Sequence, residues 1–426
     1  MTQTSQPAAL TVRYPQLSSK TVASFLLICA FFILAFSNIR GGAQFSQAAG
    51  AGLFIAAGLI AAIGLPRTLP PLNIFELAML ASSLLSGAVC LTRSSELSTV
   101  YTILLPAVVL SSSVIVRTFT LDEIFRLAAK SQALICAIVV PFHWKKLLVA
   151  LDPRSADRWM LRVAPFDMHP NLVGFAYGIG ALVAVYAAIR SKGAWRTIYS
   201  ATAAASVALV LGASARAGLL ALAASGAVIL LVSYPKLPRT WKIATVGAAA
   251  LISAMALVYW LKIYTYLEIL LELNSNTRGL SSGGSGRADA WSRGIETIIS
   301  SGSQLFFGSG LRSSSLEDIG FYTENSYINI LIESGVVLGG FLISIILGGI
   351  ARTLAAGRRS PKFSLELYAC SAVIMFAVIQ SVFNRYLIGI GNFGSLFLIL
   401  TYNYAWSAAL GRKASNNKSL APVFAR

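Results

Sequence analysis

The chain has 426 residues, 56% of them hydrophobic and 12% charged, with a formal net charge of +18. Soluble domains carry about 25% charged residues, so a soluble globular protein is excluded. Unbroken apolar runs such as "FLLICAFFILAF" lack the alternation of a membrane β-barrel strand, which leaves an all-α polytopic membrane protein.

A bilayer crossing takes about 20 mostly apolar residues. Twelve runs meet that test, at 22–38, 48–65, 74–91, 98–116, 121–142, 171–190, 197–213, 216–233, 242–263, 326–351, 364–383 and 386–410. The organisation expected is a tail (1–20), five transmembrane helices (21–142), an external amphipathic segment (143–170), four helices (171–263), a large external segment before the tenth helix (264–325), three helices (326–410) and a second tail (411–426). Both tails read as disordered. The fifth run is the weakest, because Arg126 and Lys130 leave only "SQALICAIVV" before Pro141. The first lies behind a polar stretch with no Ala-x-Ala site and reads as a retained span.

Twenty of the 34 basic residues fall in loops and tails on the side of the N-terminus, while Arg40, Arg93, Arg216 and Arg385 each stand alone in a short loop on the other side. That asymmetry predicts cytoplasmic termini. The positive charge is then mostly topology, and no RNP, zinc or helix-turn-helix pattern accompanies it to suggest nucleic acid. Cys29, Cys90, Cys136 and Cys370 all fall within predicted spans, and the chain has two histidines; neither an external disulfide framework nor a zinc cluster is expected.

The polar chemistry gathers in the two external segments. In the first, Trp144 and Trp159 alternate with Lys145, Lys146, Arg154, Arg158 and Arg162, the composition of an element at headgroup level. It ends in "DMHPN", where Asp167 or His169 can cap a helix with Pro170 in its first turn; the other reading has His169 facing a substrate. The second is too long for a structureless connector. It holds an apolar helix in "YTYLEILLEL", a glycine-rich turn in "GLSSGGSGR", a helix placing Arg287, Trp291 and Ile295 on one face, and a tight turn in "LFFGSGLRSSS" with Arg312.

Arg216, Arg287, Arg293, Arg312 and Arg385 thus converge on one side of the membrane, with Tyr322, Glu324 and Asn325 among them. Guanidinium forks match phosphate oxygens, so the cluster suggests a lipid-linked phosphate or diphosphate; for any one arginine the alternative is snorkelling to the headgroups. Arg216 is the lone charge in a small-residue hairpin, where a charge needs a partner. Partial burial beside "FY" and "SYINI" can raise the Glu324 carboxyl toward the range where it accepts a hydroxyl proton. The competing reading is that Glu324 and Asn325 serve the helix start through its dipole and free amides. Glu333 reads as a structural polar contact, and Gly335, Gly339 and Gly340 as close helix packing.

Five stretches in this order, "HPNLVG" (169–174), "SARAGLLAL" (214–222), "SGRADAW" (285–291), "FFGSGL" (306–311) and "ENSYINILIESG" (324–335), resemble the O-antigen ligase and Wzy-type polysaccharide polymerase superfamily of bacterial inner membranes. The resemblance implies transfer of a glycan from an undecaprenyl-diphosphate-linked oligosaccharide to an acceptor glycan at the periplasmic face, without metal or other cofactor. It assigns Arg216 and Arg287 to the diphosphate and acceptor activation to position 324; Arg312, Asn325, His169, Arg162, Arg385 and Tyr322 are the further candidate substrate contacts. The ligase pattern has His-Asn where this chain has Glu324-Asn325, so the resemblance is nearer to exopolysaccharide polymerases. A ligase acting on lipid A core is the second reading, and a lipid-linked sugar transporter, with its site near the midplane, the alternative from another class.

Overall fold

The computed structural model describes residues 18–37, 43–65, 71–90, 96–152, 162–236, 287–300, 304–314, 320–360 and 363–407, with Gly302 and scattered positions from 239 to 268. The described elements are all helical: α1 (Ser19–Leu34), α2 (Ala43–Ala62), α3 (Ile74–Cys90), α4 (Glu96–Thr118), α5 (Leu121–Leu151), α6 (Pro170–Arg190), α7 (Gly193–Gly212), α8 (Arg216–Ser233), α9 (Arg287–Ser300), α10 (Gln304–Phe307), α11 (Ser326–Arg359), α12 (Ser364–Gln380) and α13 (Phe393–Trp406). Six are long and apolar enough to cross a membrane, and α1, α3, α8 and α12 are shorter apolar helices. The chain is a multi-pass helical membrane protein. The predicted ninth span (242–263), the helix in "YTYLEILLEL" and the glycine-rich turn lie largely or wholly outside the described residues, as do Arg154, Arg158, Trp159 and most of both tails.

The middle of the bundle is α6, α12 and α13. The most apolar stretch of α6 is 83% buried, and α13 is buried at every position from Phe393 to Ala405. Phe31 meets Phe393 edge-on at 5.3 Å, and Phe125 meets both Tyr186 (4.8 Å) and Phe397 (5.3 Å). Helices in lipid associate through close packing rather than through a hydrophobic driving force, and small residues permit the closest approach. Gly218 of α8 crosses Gly174 of α6 so tightly that a Cβ at 218 would stand 3.0 Å from the Gly174 Cα. That crossing sets the start of α8, with Arg216, against the start of α6, with His169.

Three boundaries depart from the sequence reading. Helix α5 does not stop at 142 but continues through Pro141 to Leu151, because Leu147 and Ala150 still find buried positions and a membrane helix tolerates an internal proline. Helix α11 breaks at Gly335 (φ 73°, ψ 171°) and then runs on to Arg359. Helix α13 begins at Phe393, where Asn392 accepts a 2.9 Å bond from the Ser395 amide, and not at 386. Residues 381–392 are therefore a loop, and Arg385 lies on it.

Candidate functional site

Four junctions meet at one end of the bundle: the entry to α6, the α7–α8 turn, the approach to α11 and the α12–α13 loop. His169 caps α6, its Nδ1 accepting from the Asn171 amide at 3.3 Å, with Pro170 at the first helical position. Asn171 then extends its side-chain amide to Glu324 Oε2 (3.2 Å) and to the Phe383 carbonyl (3.3 Å). Its own carbonyl accepts from Gln380 Nε2 at 3.1 Å. One side chain thus ties three elements together at Glu324.

Glu324 does not cap the helix behind it by a hydrogen bond among the described residues. Asn325 does, its Oδ1 accepting from the amides of Tyr327 (2.9 Å) and Ile328 (3.2 Å). The capping reading is correct for Asn325, whose oxygen is committed to helix amides, and not for the Glu324 side chain. Glu324 sits at φ 49°, a left-handed conformation that costs a non-glycine residue about 1 to 3 kcal/mol and that recurs at functional sites. The other described non-glycine residues with positive φ are Phe166, Asp167, Ser214 and Arg312. All five flank this end of the bundle.

Guanidiniums stand near the carboxylate and its neighbour His169. Arg287 at the start of α9 lies over the Phe383 ring at 5.6 Å; burial lowers its pKa from the ordinary arginine value, and Glu324 opposes that shift. Trp291 stands against the same ring at 6.1 Å, but Ile295 is 49% exposed and leaves the face expected for it, because α9 seats itself through Ala290, Gly294 and Ile298. Arg385 lies over the exposed Tyr322 ring at 4.2 Å. Burial pushes the His169 imidazole below its ordinary value; Glu324 opposes this, while Arg385, Arg287 and Arg162 add to it. Arg216 begins α8 half-buried, one helix over from Asn171.

Arg312 belongs to a second layer. The turn carrying it is fastened to the break in α11: the Ser309 amide donates to the Ile332 carbonyl (2.8 Å) and the Gly310 amide to the Glu333 carbonyl (3.0 Å). Gly308 (φ 79°) and Gly335 (φ 73°) face each other's backbone with no room for a Cβ on either. Glu333 lies beneath, half-buried, its Oε1 accepting from Ser314 at 2.5 Å. The Leu311 amide donates to Ser86 Oγ on α3 at 2.7 Å. Arg312 lies over Tyr101 at 5.0 Å, and its Nε, shut away from solvent, has no hydrogen-bond partner among the described residues. A small pocket of about 30 Å³ joins Arg312, Arg385, Asn329 and Glu333.

Residues 201–343 match a family model described as O-antigen ligase. The match supports membership of the O-antigen ligase and Wzy-type family. No curated protein matches the chain. The O-antigen ligase match covers about a third of the sequence and includes Arg216, Arg287, Arg312 and Glu324, whereas His169, Asn171 and Arg385 lie outside it. The contact roles of Asn171 and Phe383 were not readable in the sequence. Asn171 stands in the quoted "HPNLVG", but nothing in that motif says its amide reaches across 153 positions to Glu324. Among the described residues, no three His, Cys, Asp or Glu side chains gather as a metal site would need.

Two predictions follow from this geometry. Gly308→Ala has to displace the α11 backbone as well as bear a left-handed alanine, so it should lower stability by at least about 2 kcal/mol, read as thermal unfolding in detergent. Gly302→Ala, also left-handed (φ 59°) but with open space around it, should cost less; equal losses would dissolve the proposed docking. For His169 the depressed folded value means that unfolded chains take up a proton first as pH falls. Its stabilising contribution is therefore present above the ordinary histidine range near about 6.5 and lost below it. His169→Asn keeps a capping acceptor and should flatten the fall in thermal midpoint between about pH 7 and pH 5; an unchanged slope would remove the imidazole from the site's electrostatics.

Proposed function

We propose that the protein is a polymerase of a bacterial surface polysaccharide or exopolysaccharide, working at the periplasmic face of the inner membrane with both termini in the cytoplasm. The donor is a glycan on undecaprenyl diphosphate and the acceptor is a sugar hydroxyl of a second glycan. Glu324 takes the hydroxyl proton as the acceptor oxygen attacks the anomeric carbon. The new glycosidic bond forms, the bond from that carbon to the diphosphate oxygen breaks, and the proton passes from Glu324 to solvent. Negative charge grows on the departing diphosphate, where preorganised cations contribute most; Arg287, Arg385 and Arg216 are assigned to it, with Arg312, Arg162 and Tyr322 as further substrate contacts. No step in this scheme calls on a metal ion.

The observation that carries the reading is a carboxylate held by Asn171 in a left-handed turn, with His169 and Arg287 close enough to act on it. Glu324 supplies a proton acceptor, and the guanidiniums near it are matched to the anion that leaves. The ligase reading, with lipid A core as acceptor, draws on the description of the matching family. Transport is disfavoured, since transporters bind near the bilayer midplane and these groups lie at the rim of the bundle.

Glu324→Gln should lower chain extension by about 100- to 10,000-fold, the range of a general base, and leave lipid-linked repeat units accumulating in the membrane at normal protein abundance. Wild-type polymer lengths would refute the role. Loss of polymer attachment to the lipid A core, with free polymer of normal length, would give the enzyme to the ligase class. Arg287→Lys keeps a charge but loses the planar fork, and should be impaired by more than about tenfold in transfer by purified enzyme from a lipid diphosphate donor; full activity would return Arg287 to headgroup contact.

A further inference from the structure

At the other end of the bundle lies a cavity that glycan transfer does not use. It has a volume of about 150 Å³, is partly open, and is walled by the start of α5 (Thr120, Asp122), the ends of α6 (Arg190) and α11 (Ser360), the start of α12 with Phe363 before it, and Tyr404 of α13. Asp122 is fully engaged there: Tyr186 Oη donates to its Oδ1 at 2.6 Å, Arg126 to its Oδ2 at 2.9 Å, and Arg190 stands 3.6 Å from Oδ1. Glu366, also on the cavity wall, is only half engaged. It is 6% exposed, its Oε1 lies 3.2 Å from Arg190 Nη2, and its Oε2 is enclosed without a hydrogen-bond partner among the described residues.

A buried carboxylate oxygen without a donor is costly, and the first turn of α12 favours the charge through its dipole without supplying Oε2 a bond. The group that would complete this site carries an N–H and a positive charge. Arginine at 190 already occupies one side, so the remaining space favours a compact cation. Phe363 and Tyr404 put aromatic rings on the wall, as cation recognition uses, and the C-terminal ends of α6, α11 and α13 bring their negative dipole poles to this end of the bundle.

We propose that this cavity binds a primary ammonium, with the Glu366 carboxylate as its hydrogen-bond acceptor. A lipid ethanolamine headgroup and a soluble amine share that chemistry. The proposal does not rest on the transfer reaction, and its test does not pass through it.

The purified full-length chain in detergent is presented with phosphatidylethanolamine, phosphatidylcholine and phosphatidylglycerol in turn, with retention read by native mass spectrometry, and separately with millimolar ethanolamine, read as thermal stabilisation. The expected result is retention of phosphatidylethanolamine at least about fivefold over phosphatidylcholine, whose quaternary nitrogen has no N–H to give, and loss of that preference in Glu366→Gln. Stabilisation by ethanolamine without lipid preference, lost in the same variant, assigns the site to a soluble amine and also supports the proposal. Ala356→Leu, which fills the cavity and leaves the Arg190 ion pairs in place, should abolish either signal if Glu366→Gln fails to fold. Equal retention of the three lipids with no effect of ethanolamine overturns the proposal, as does a preference that survives in a folded Glu366→Gln or Ala356→Leu protein.

Discussion

The break in α11 at Gly335 is the constraint on which the site depends. A helix interrupted in a membrane protein frees backbone carbonyls that water does not reach, and they must be met by other protein groups. Here the carbonyls of Ile332 and Glu333 are met by the amides of Ser309 and Gly310, and the contact is close enough that only glycine serves at 308 and 335. The half-helix 326–334 is fixed by that contact and by its Asn325 cap. It in turn seats α9, because Gly294 packs on Ile328 and Thr323. Arg287, Arg312 and Glu324 come from separate parts of the chain, and all three inherit their positions from this one docking.

The rim site and the opposite cavity treat charge differently. Asp122 shares its two oxygens among a tyrosine and two arginines, a network that holds the ends of α5 and α6. Glu324 accepts from the Asn171 amide, and Arg287 acts on it without closing an ion pair among the described residues. A fully paired carboxylate has spent its basicity on structure. One that is oriented by a neutral donor keeps an oxygen outside such a network, and the neutral donor adds no further positive charge beside the guanidiniums.

Much of the fold was legible in the sequence because hydrocarbon imposes a length and a composition on every crossing. The ends of α6, α7 and α8 lie within a few residues of the predicted spans, and His169 and Pro170 announced the α6 cap. Legibility failed where tertiary contacts override a local signal. Pro141 reads as a stop, yet α5 continues because Leu147 and Ala150 are buried against neighbours. "NRYLIGIGNFGSLF" is apolar enough to read as helix from 386, yet Asn384, Ser326 and Ser395 supply the bonds that hold it as a loop: the Tyr386 amide donates to Asn384 Oδ1 at 3.0 Å, and the Tyr386 carbonyl accepts from Ser395 Oγ at 2.8 Å. The candidate residues were visible as charges out of place in an apolar chain. The neutral residues that orient them, Asn171, Gln380 and Phe383, carry no such mark.

The five left-handed non-glycine residues point the same way. A strained residue persists only when its surroundings over-determine it, and here the surroundings are identifiable: Phe166 is held between Phe36 (5.1 Å) and His143 (5.2 Å), Arg312 by the Ser86 anchor next to it, and Glu324 by Asn171. Each strained residue is itself a candidate site residue or stands one to three positions before one. Packing deeper in the bundle is thus converted into the direction of a few polar side chains at its rim, which is how a helical membrane scaffold with little polar surface of its own holds a carboxylate and several guanidiniums in one place.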